Sequence, residues 1–392
     1  MKLSFVVDSG MDVRLVDGLA SRVTLRILAR RVIGGREISQ SPRHQVPIEI
    51  GPAGRLAFIV FAVRRIAALR RDTDVVIVQG YGPTALCINV IGRMLRLPVL
   101  MLVCSPSEMY YLCRSRKGSG RPYRALEYLC IRVCGWLNAK VGSAYVALSP
   151  YLRSVIREYR TSRPIDVIPV YGVDRRIFQP TGEPKTAIRR RLGLPLEQRI
   201  LIYSSRVAPE KDVDTVLQAL AVLARRGLSV RLLHLSGGHD ELKQRATAMG
   251  VDEHVIAGDA VAPFNLLADY YRASDVCVQA SHAEGLGFSP LEALACGVPV
   301  VATAVGGLRD TIREGDTGWQ VPPRDPEALA SAVQNILRDP AEASRRTGRG
   351  AQEVDLRYEA DTVFDLFLDR VAVLTTARNA VVAATAHPGS RS

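Results

Sequence analysis

Ten short apolar runs, in two series of five, alternate with longer segments of helical character, and this alternation constrains the fold more than any other feature of the chain. The first series falls at 3–7, 75–78, 98–103, 144–148 and 165–168. The second falls at 200–204, 230–235, 254–257, 275–279 and 298–302. Apolar runs of strand length separated by helical segments are the pattern of an α/β protein with parallel strands. Two similar series predict two Rossmann-like parallel-sheet domains facing one another across a cleft. The length of 392 residues fits, since it suits two domains of about 150 to 200 residues each.

The punctuation places the boundaries. Pro180, Thr181-Gly182-Glu183-Pro184 and Gly193-Leu194-Pro195 cluster as turn signals, so the expected first domain covers 1–170, a linker 171–195 and the second domain 196–350. A helix over 351–371 closes the second domain or returns to the first. Residues 372–392 pass into Ala, Thr and Val and then His387-Pro388-Gly389-Ser390, which reads as a frayed helix and flexible tail.

The charge-free run from Val75 to Gly92 reaches the lower bound for a membrane span. Gln79-Gly80-Tyr81-Gly82-Pro83 breaks it into a strand, a turn and a helix starting near Thr84. Lys2-Leu3-Ser4-Phe5-Val6-Val7-Asp8 reads as a strand ending in an acid, not as a secretory leader, so a cytoplasmic protein is expected. The seven cysteines have no paired metal or disulfide spacing and are expected to be buried free thiols. The six histidines show no metal-ligand spacing either.

Charge divides the chain. Residues 1–180 carry 28 Lys and Arg against 12 Asp and Glu, whereas residues 181–392 carry 24 against 27. A basic half can meet nucleic acid, an anionic membrane or an anionic substrate. No zinc-finger, RNA-recognition or basic-zipper signature is present, which argues against nucleic acid. The arginines concentrate between Arg114 and Arg124, flanked by Met109-Tyr110-Tyr111-Leu112 and by the Tyr- and Trp-containing stretch from Tyr128 to Leu137. Such interleaving fits an interfacial membrane contact on an anionic surface, and equally a solvated loop followed by a partly buried helix.

The most chemically specific stretch is Glu284-Gly285-Leu286-Gly287-Phe288-Ser289-Pro290-Leu291-Glu292. A strand precedes it and the first turns of a helix follow, so a Gly-rich turn separates two acids. A strand-to-helix turn directs backbone N–H groups and the positive end of a helix dipole into one crevice, which suits a phosphate or pyrophosphate. The first acid can accept hydrogen bonds from ligand hydroxyls, and the second, about two helical turns on, reaches another part of the same ligand. A nucleoside diphosphate carrying a sugar fits; a helix start with incidental acids is the plain alternative.

Further segments decide between them. Val146-Ala147-Leu148-Ser149, Val167-Ile168-Pro169-Val170-Tyr171-Gly172-Val173-Asp174, Phe178-Gln179-Pro180, Ser205-Arg206-Val207-Ala208-Pro209-Glu210-Lys211, Gly237-Gly238, the acid pair, Gly297-Val298-Pro299-Val300-Val301-Ala302-Thr303 and Gly306-Gly307 follow in order. From about residue 141 to 325 the chain resembles the family 4 retaining glycosyltransferases, group 1 type, of the GT-B fold.

The resemblance implies roles. Arg206 and Lys211 would converge on the donor's diphosphate and stabilise the leaving group. Glu284 would bind hydroxyls of the donor sugar, the backbone of Gly285, Leu286, Gly287, Phe288 and Ser289 would approach sugar and phosphate, and Glu292 would hold the ribose. Gly237 would contact the donor, and Gly10 and Ser105 are candidates for acceptor or sugar contacts. It implies front-face attack with no protein general base, no metal and no cofactor; the nucleotide sugar is a substrate.

The sequence departs from the family in its first half. Many members carry a histidine after the strand at 98–103, where this chain has Val103-Cys104-Ser105-Pro106-Ser107-Glu108; Ser105 or Ser107 replaces that contact, or activity is reduced. Asp8-Ser9-Gly10-Met11 has one glycine where a pair is common, and Tyr171 stands where Asn is usual. Three functions follow: transfer onto a glycan or polyprenyl-linked acceptor at the cytoplasmic membrane face in surface polysaccharide assembly, transfer onto a soluble anionic acceptor, or donor binding without turnover. His282 reads as a surface or packing residue, and His239-Asp240-Glu241 as a helix start.

Overall fold

The computed structural model describes the chain apart from Ser9, Met11 and residues 32–43, 116–123, 259–262 and 387–392, and apart from the side chains of 381–386. It separates into two units. The first comprises Met1–Glu108, Arg124–Gly172 and Ala360–Ser392, the second Met109–Tyr123 and Val173–Glu359.

The first unit begins with β1 (Lys2–Val7), α1 (Val13–Ala20), β2 (Thr24–Arg30), β3 (Ile48–Gly51) and α2 (Arg55–Ala68). β4 (Val75–Gln79), α3 (Pro83–Leu95), β5 (Val99–Val103) and α4 (Ser107–Arg114) follow, α4 passing into the second unit at Met109. α5 (Ala125–Val141), β6 (Ala144–Ala147), α6 (Pro150–Arg157) and β7 (Ile165–Val167) complete its sheet. The strand order is β3-β2-β1-β4-β5-β6-β7, with every pair parallel. Phe5 of β1 lies in register between Ile27 and Ile77, and all three are buried. The charge-free run divides as its turn residues predict: β4 ends at Gln79, Gly80 takes a left-handed φ of 77°, and Pro83 opens α3. Among the described residues no helix is long and apolar enough to cross a membrane.

The second unit runs through α7 (Lys185–Arg191), β8 (Arg199–Tyr203), α8 (Val213–Arg225), β9 (Val230–His234) and α9 (His239–Ala248). Then come β10 (Val255–Ala257), α10 (Phe264–Ala273), β11 (Val276–Gln279), α11 (Phe288–Ala295), β12 (Val300–Thr303) and α12 (Leu308–Thr311). β13 (Trp319–Val321), α13 (Pro326–Arg338) and α14 (Pro340–Arg357) close it. Its order is β10-β9-β8-β11-β12-β13, again parallel throughout. Leu201, Leu232, Val278 and Val301 of the sheet share one buried cluster with Val216, Leu220, Leu329 and Val333 of α8 and α13. A side chain of that size contributes about 1.5–3 kcal/mol when fully buried.

Several expectations need correction. β2 escapes the apolar-run criterion because Arg26 interrupts it, and β3 and β13 are short edge strands. The expected linker contains α7, whose buried Arg189 pairs with Asp275 at 2.6 Å, so part of 171–195 is built into the second unit. The helix expected at 351–371 is two helices. Asp339 caps α14, and the chain breaks at Tyr358, whose carbonyl accepts from the Val173 N–H at 2.7 Å.

The last helix, α15 (Ala360–Ala386), then runs through most of the expected tail. Its Ala-rich composition favours helix. Arg370 pairs with Asp166 at 2.6 Å, and Arg378 donates to the Thr73 carbonyl at 2.7 Å, which ties α15 to the first unit. The seven cysteines are free, but only Cys113, Cys277 and Cys296 are buried, and Cys130 is exposed.

Candidate active site

In open parallel sheets, ligands bind beyond the carboxyl ends of the strands where the strand order reverses. In the second sheet that point lies between β8 and β11, which are adjacent although two strands separate them in the chain. Arg206 and Lys211 follow β8, and Glu284 with the Gly285–Ser289 turn follows β11. The topology thus brings both predicted cations, both acids and the five turn positions from Gly285 to Ser289 to one sheet end.

The loop after β8 is braced from both sides. The Lys211 N–H donates to the Ala208 carbonyl at 2.8 Å, and the Lys211 carbonyl accepts from the buried Tyr203 hydroxyl at 3.2 Å. Asp212 adopts a left-handed φ of 49° and caps α8, accepting from the Thr215 hydroxyl at 2.6 Å. Its other partner is His282 Nε2 at 3.1 Å, so His282 pins the two loops together and is more than a packing residue.

The turn after β11 ends at Gly287, the N-cap of α11, with φ of 98°. A Cβ there would meet Leu308 at 2.5 Å, so both conformation and space demand glycine. Gly307 presses on the same turn: its N–H donates to the Glu284 carbonyl at 3.1 Å, and a Cβ on it would lie 2.2 Å from the Gly285 oxygen. With no side chain on its N-cap, α11 starts on backbone N–H groups, the arrangement that receives anions.

Each acid of the pair connects to the loop after β8. Glu284 forms an ion pair with Lys211 and accepts from the Ser281 hydroxyl at 3.3 Å. Ser281 accepts from the Gln279 amide at 2.7 Å, and Gln279 from the Ser205 hydroxyl at 2.9 Å, so the carboxylate stands at the end of a buried polar chain. Glu292, 4% exposed, accepts from the Tyr271 hydroxyl at 3.0 Å, and that hydroxyl accepts from Ser204 at 2.7 Å. Burial and then the Glu292 charge hold Tyr271 well above the ordinary phenol value, so it remains a donor.

Glu210 and Tyr271 have no role of their own in the sequence analysis. Glu210 was legible only as the neighbour of Lys211, and Tyr271 sits in a helix whose apolar face hides a single useful hydroxyl. Arg114 begins the segment expected either at a membrane surface or in a solvated loop, and its guanidinium grips the buried Glu210 carboxylate at 2.7 and 3.1 Å. Two unlike charges pair across 96 positions of sequence, a distance no local pattern reveals. Residues 116–123 of that segment lie outside the described residues.

Gly237 is exposed after β9, and Gly238, with φ of 101°, caps α9, which His239 opens with Asp240 and Glu241 in its first turn. His234 Nε2–H donates to the Ser205 carbonyl at 3.0 Å, which leaves its Nδ1 to accept from His239 Nδ1–H at 3.0 Å. Gly10 and Ser105 lie in the first unit, beyond the carboxyl ends of β1 and β5. There Cys104 Sγ meets the Tyr171 hydroxyl at 3.0 Å, and burial pushes the thiol up to about 12.

Residues 184–354 match the model of the family described as glycosyl transferases, group 1. The D-inositol 3-phosphate glycosyltransferase of Thermobispora bispora is 39% identical over 180 residues, 43% of this chain and 41% of that one. The match therefore spans less than half of that relative. Among solved structures, sucrose-phosphate synthase from Thermosynechococcus elongatus superposes with a TM-score of 0.77 at 22% identity, covering 96% of this chain and all of that one. Anabaena HepE in complex with UDP-glucose gives 0.78 at 18%, covering 95% and all. Those two likenesses establish the fold. Residues 184–354, which carry the glycine turn at the reversal point of the second sheet, are thus similar to the group 1 glycosyl transferases, and the chain has the GT-B fold.

Proposed function

We propose that this protein is a retaining glycosyltransferase that takes its sugar from a nucleoside diphosphate sugar, UDP- or GDP-linked. One observation carries the reading: the Lys211–Glu284 ion pair stands beside a glycine-shaped helix start within the group 1 segment. In the proposed reaction the bond from the sugar's anomeric carbon to the phosphate oxygen breaks, and a bond to an acceptor hydroxyl forms on the same face. The acceptor's proton passes to the leaving phosphate. Lys211 and Arg206 offset the charge that develops there, Glu284 orients sugar hydroxyls, and Glu292, set by Tyr271, holds the ribose.

Two acceptor classes have support. The match to a relative named for D-inositol 3-phosphate favours a soluble anionic acceptor. The described part of the basic half favours a glycan or lipid-linked acceptor at an anionic membrane face. On α5, Leu126, Leu129, Val133 and Trp136 recur at helical spacing and are 72%, 56%, 44% and 50% exposed. Lys140 lies 5.7 Å from the Trp136 ring. An apolar stripe with cations beside it suits an interfacial helix.

Thermal unfolding with a panel of nucleotide sugars tests the donor. A ligand at a hundred times its dissociation constant stabilises by about 2.7 kcal/mol. A midpoint unmoved by every nucleoside diphosphate and its sugars would refute the proposal.

A further inference from the structure

Glu210 is fully buried, and two arginines share its carboxylate. Arg114 presents a fork, with Nη2 2.7 Å from Oε1 and Nε 3.1 Å from Oε2. Arg206 reaches the same Oε1 only from 3.5 Å, and its side chain is 57% exposed. These contacts are unequal, because a bidentate guanidinium–carboxylate pair is among the strongest hydrogen-bonded pairs, while a single contact at this length is weak. The Tyr110 ring, 5.5 Å from the Arg114 guanidinium carbon, gives the fork a flat surface to rest on.

Burial pushes the Glu210 carboxyl upward, but the hydrogen bonds and charge of Arg114, with the charge of Arg206, outweigh it and keep the group below its ordinary value. Glu210 is therefore an anion that needs a cation. Its backbone matters as well, since its carbonyl accepts from the His282 N–H at 2.8 Å and so braces the approach to Glu284.

The charge balance around Glu210 and Glu284 turns on Arg114. With it, three cations, Arg114, Arg206 and Lys211, face two carboxylates, Glu210 and Glu284. Without it, Arg206 and Lys211 would each be matched one to one, and no positive charge would remain for an anionic ligand. A buried carboxylate stripped of its fork would draw Arg206 down, because an uncompensated buried charge is strongly unfavourable.

We propose that Arg114 is a positioning residue that neutralises Glu210 and thereby leaves Arg206 available for the diphosphate of the donor. The inference rests on the nucleotide-sugar reading above. It assigns to a residue from α4 a part in donor affinity without contact to the donor.

Calorimetric titration with UDP and GDP tests it on four proteins: wild type, Arg114→Gln, Glu210→Gln and the double variant. Arg114→Gln is expected to raise the dissociation constant of the nucleotide that wild type binds by tenfold or more. The double variant, which removes the charge that captures Arg206, should return to within threefold of Glu210→Gln. A merely structural role would lower the unfolding midpoint of Arg114→Gln and leave its affinity unchanged, which would overturn the inference. A double variant tenfold weaker than Glu210→Gln would also overturn it, since Arg114 would then contact the diphosphate itself. Should Arg114→Gln fail to fold, Glu210→Gln is expected to bind at least as tightly as wild type, because no buried carboxylate then competes for Arg206, and tenfold weaker binding would overturn the inference. Wild type that binds neither nucleotide refutes the donor reading and takes this inference with it; wild type that binds, with Arg114→Gln equally tight, refutes the inference alone.

Discussion

Lys211 and Glu284 stand 73 positions apart in the chain and form one ion pair, with side chains only 14% and 11% exposed. The pair links the loop after β8 to the turn after β11 across the reversal point of the sheet. Removing one member of a buried pair leaves the other uncompensated, at a penalty of about 3–5 kcal/mol. Partial exposure and the Ser281 hydrogen bond reduce this. Lys211→Ala is therefore expected to lose roughly 2–3 kcal/mol in denaturant unfolding, remain folded, and lose turnover at least a hundredfold with saturating donor. Wild-type turnover in this variant would remove Lys211 from the proposed mechanism.

Glycines separate the turn's needs from those of the scaffold. A methyl group on Gly307 would collide with the backbone oxygen of Gly285, which cannot rotate away as a side chain can. Gly307→Ala should displace the turn, weakening nucleoside diphosphate binding more than tenfold in a titration. Gly348, inside α14, has open space around its missing Cβ. Gly348→Ala should stabilise the protein by about 0.5–1 kcal/mol through helix propensity and leave the titration unchanged. Equal effects of the two substitutions on affinity would show that the turn is not where the nucleotide binds.

What the sequence reveals here follows from the range of each interaction. The parallel sheets are legible because β1, β4, β5, β8 and β11 are buried on both faces and read as apolar runs, whereas β2 carries Arg26 within its apolar pattern. Glu284, Gly287 and Glu292 are legible because strand, turn and helix are contiguous in the chain. Arg114 and Glu210 are not, since they meet only after the fold has closed, and α15 misleads because an Ala- and Thr-rich stretch resembles a tail until Arg370 and Arg378 find partners.

The α5 stripe predicts membrane behaviour that its charges alone would not. Leu129 and Trp136 are 56% and 50% exposed on the same helix, whose last turn carries Lys140. Trp136→Ala with Leu129→Ser should weaken sedimentation with anionic liposomes by tenfold or more, with nucleotide affinity unaltered. Added salt should weaken it too, as surface electrostatics are screened within about 8 Å at physiological ionic strength. No sedimentation of wild type with such vesicles would leave the soluble anionic acceptor as the surviving reading.

His234 gives the second unit a calculable response to acid. Burial, reinforced by the neighbouring His239, lowers its pKa to about 4, although the bond to the Ser205 carbonyl opposes this. Protonating Nδ1 would also set two N–H donors against each other, because His239 already donates there. In the unfolded chain a histidine takes its proton near pH 6.5. Between those values the unfolded state binds more protons than the folded one, so stability is complete above pH 6.5 and falls as the pH drops toward 4. From pH 7.5 to pH 5 this one group should remove about 2 kcal/mol. His234→Gln cannot titrate, so its unfolding free energy should decline less over the same range, by about that amount. Parallel pH profiles for wild type and His234→Gln would mean that the imidazole takes up a proton in the fold as readily as in the unfolded chain, and the hydrogen-bond chain from His239 through His234 to Ser205 would have to be redrawn.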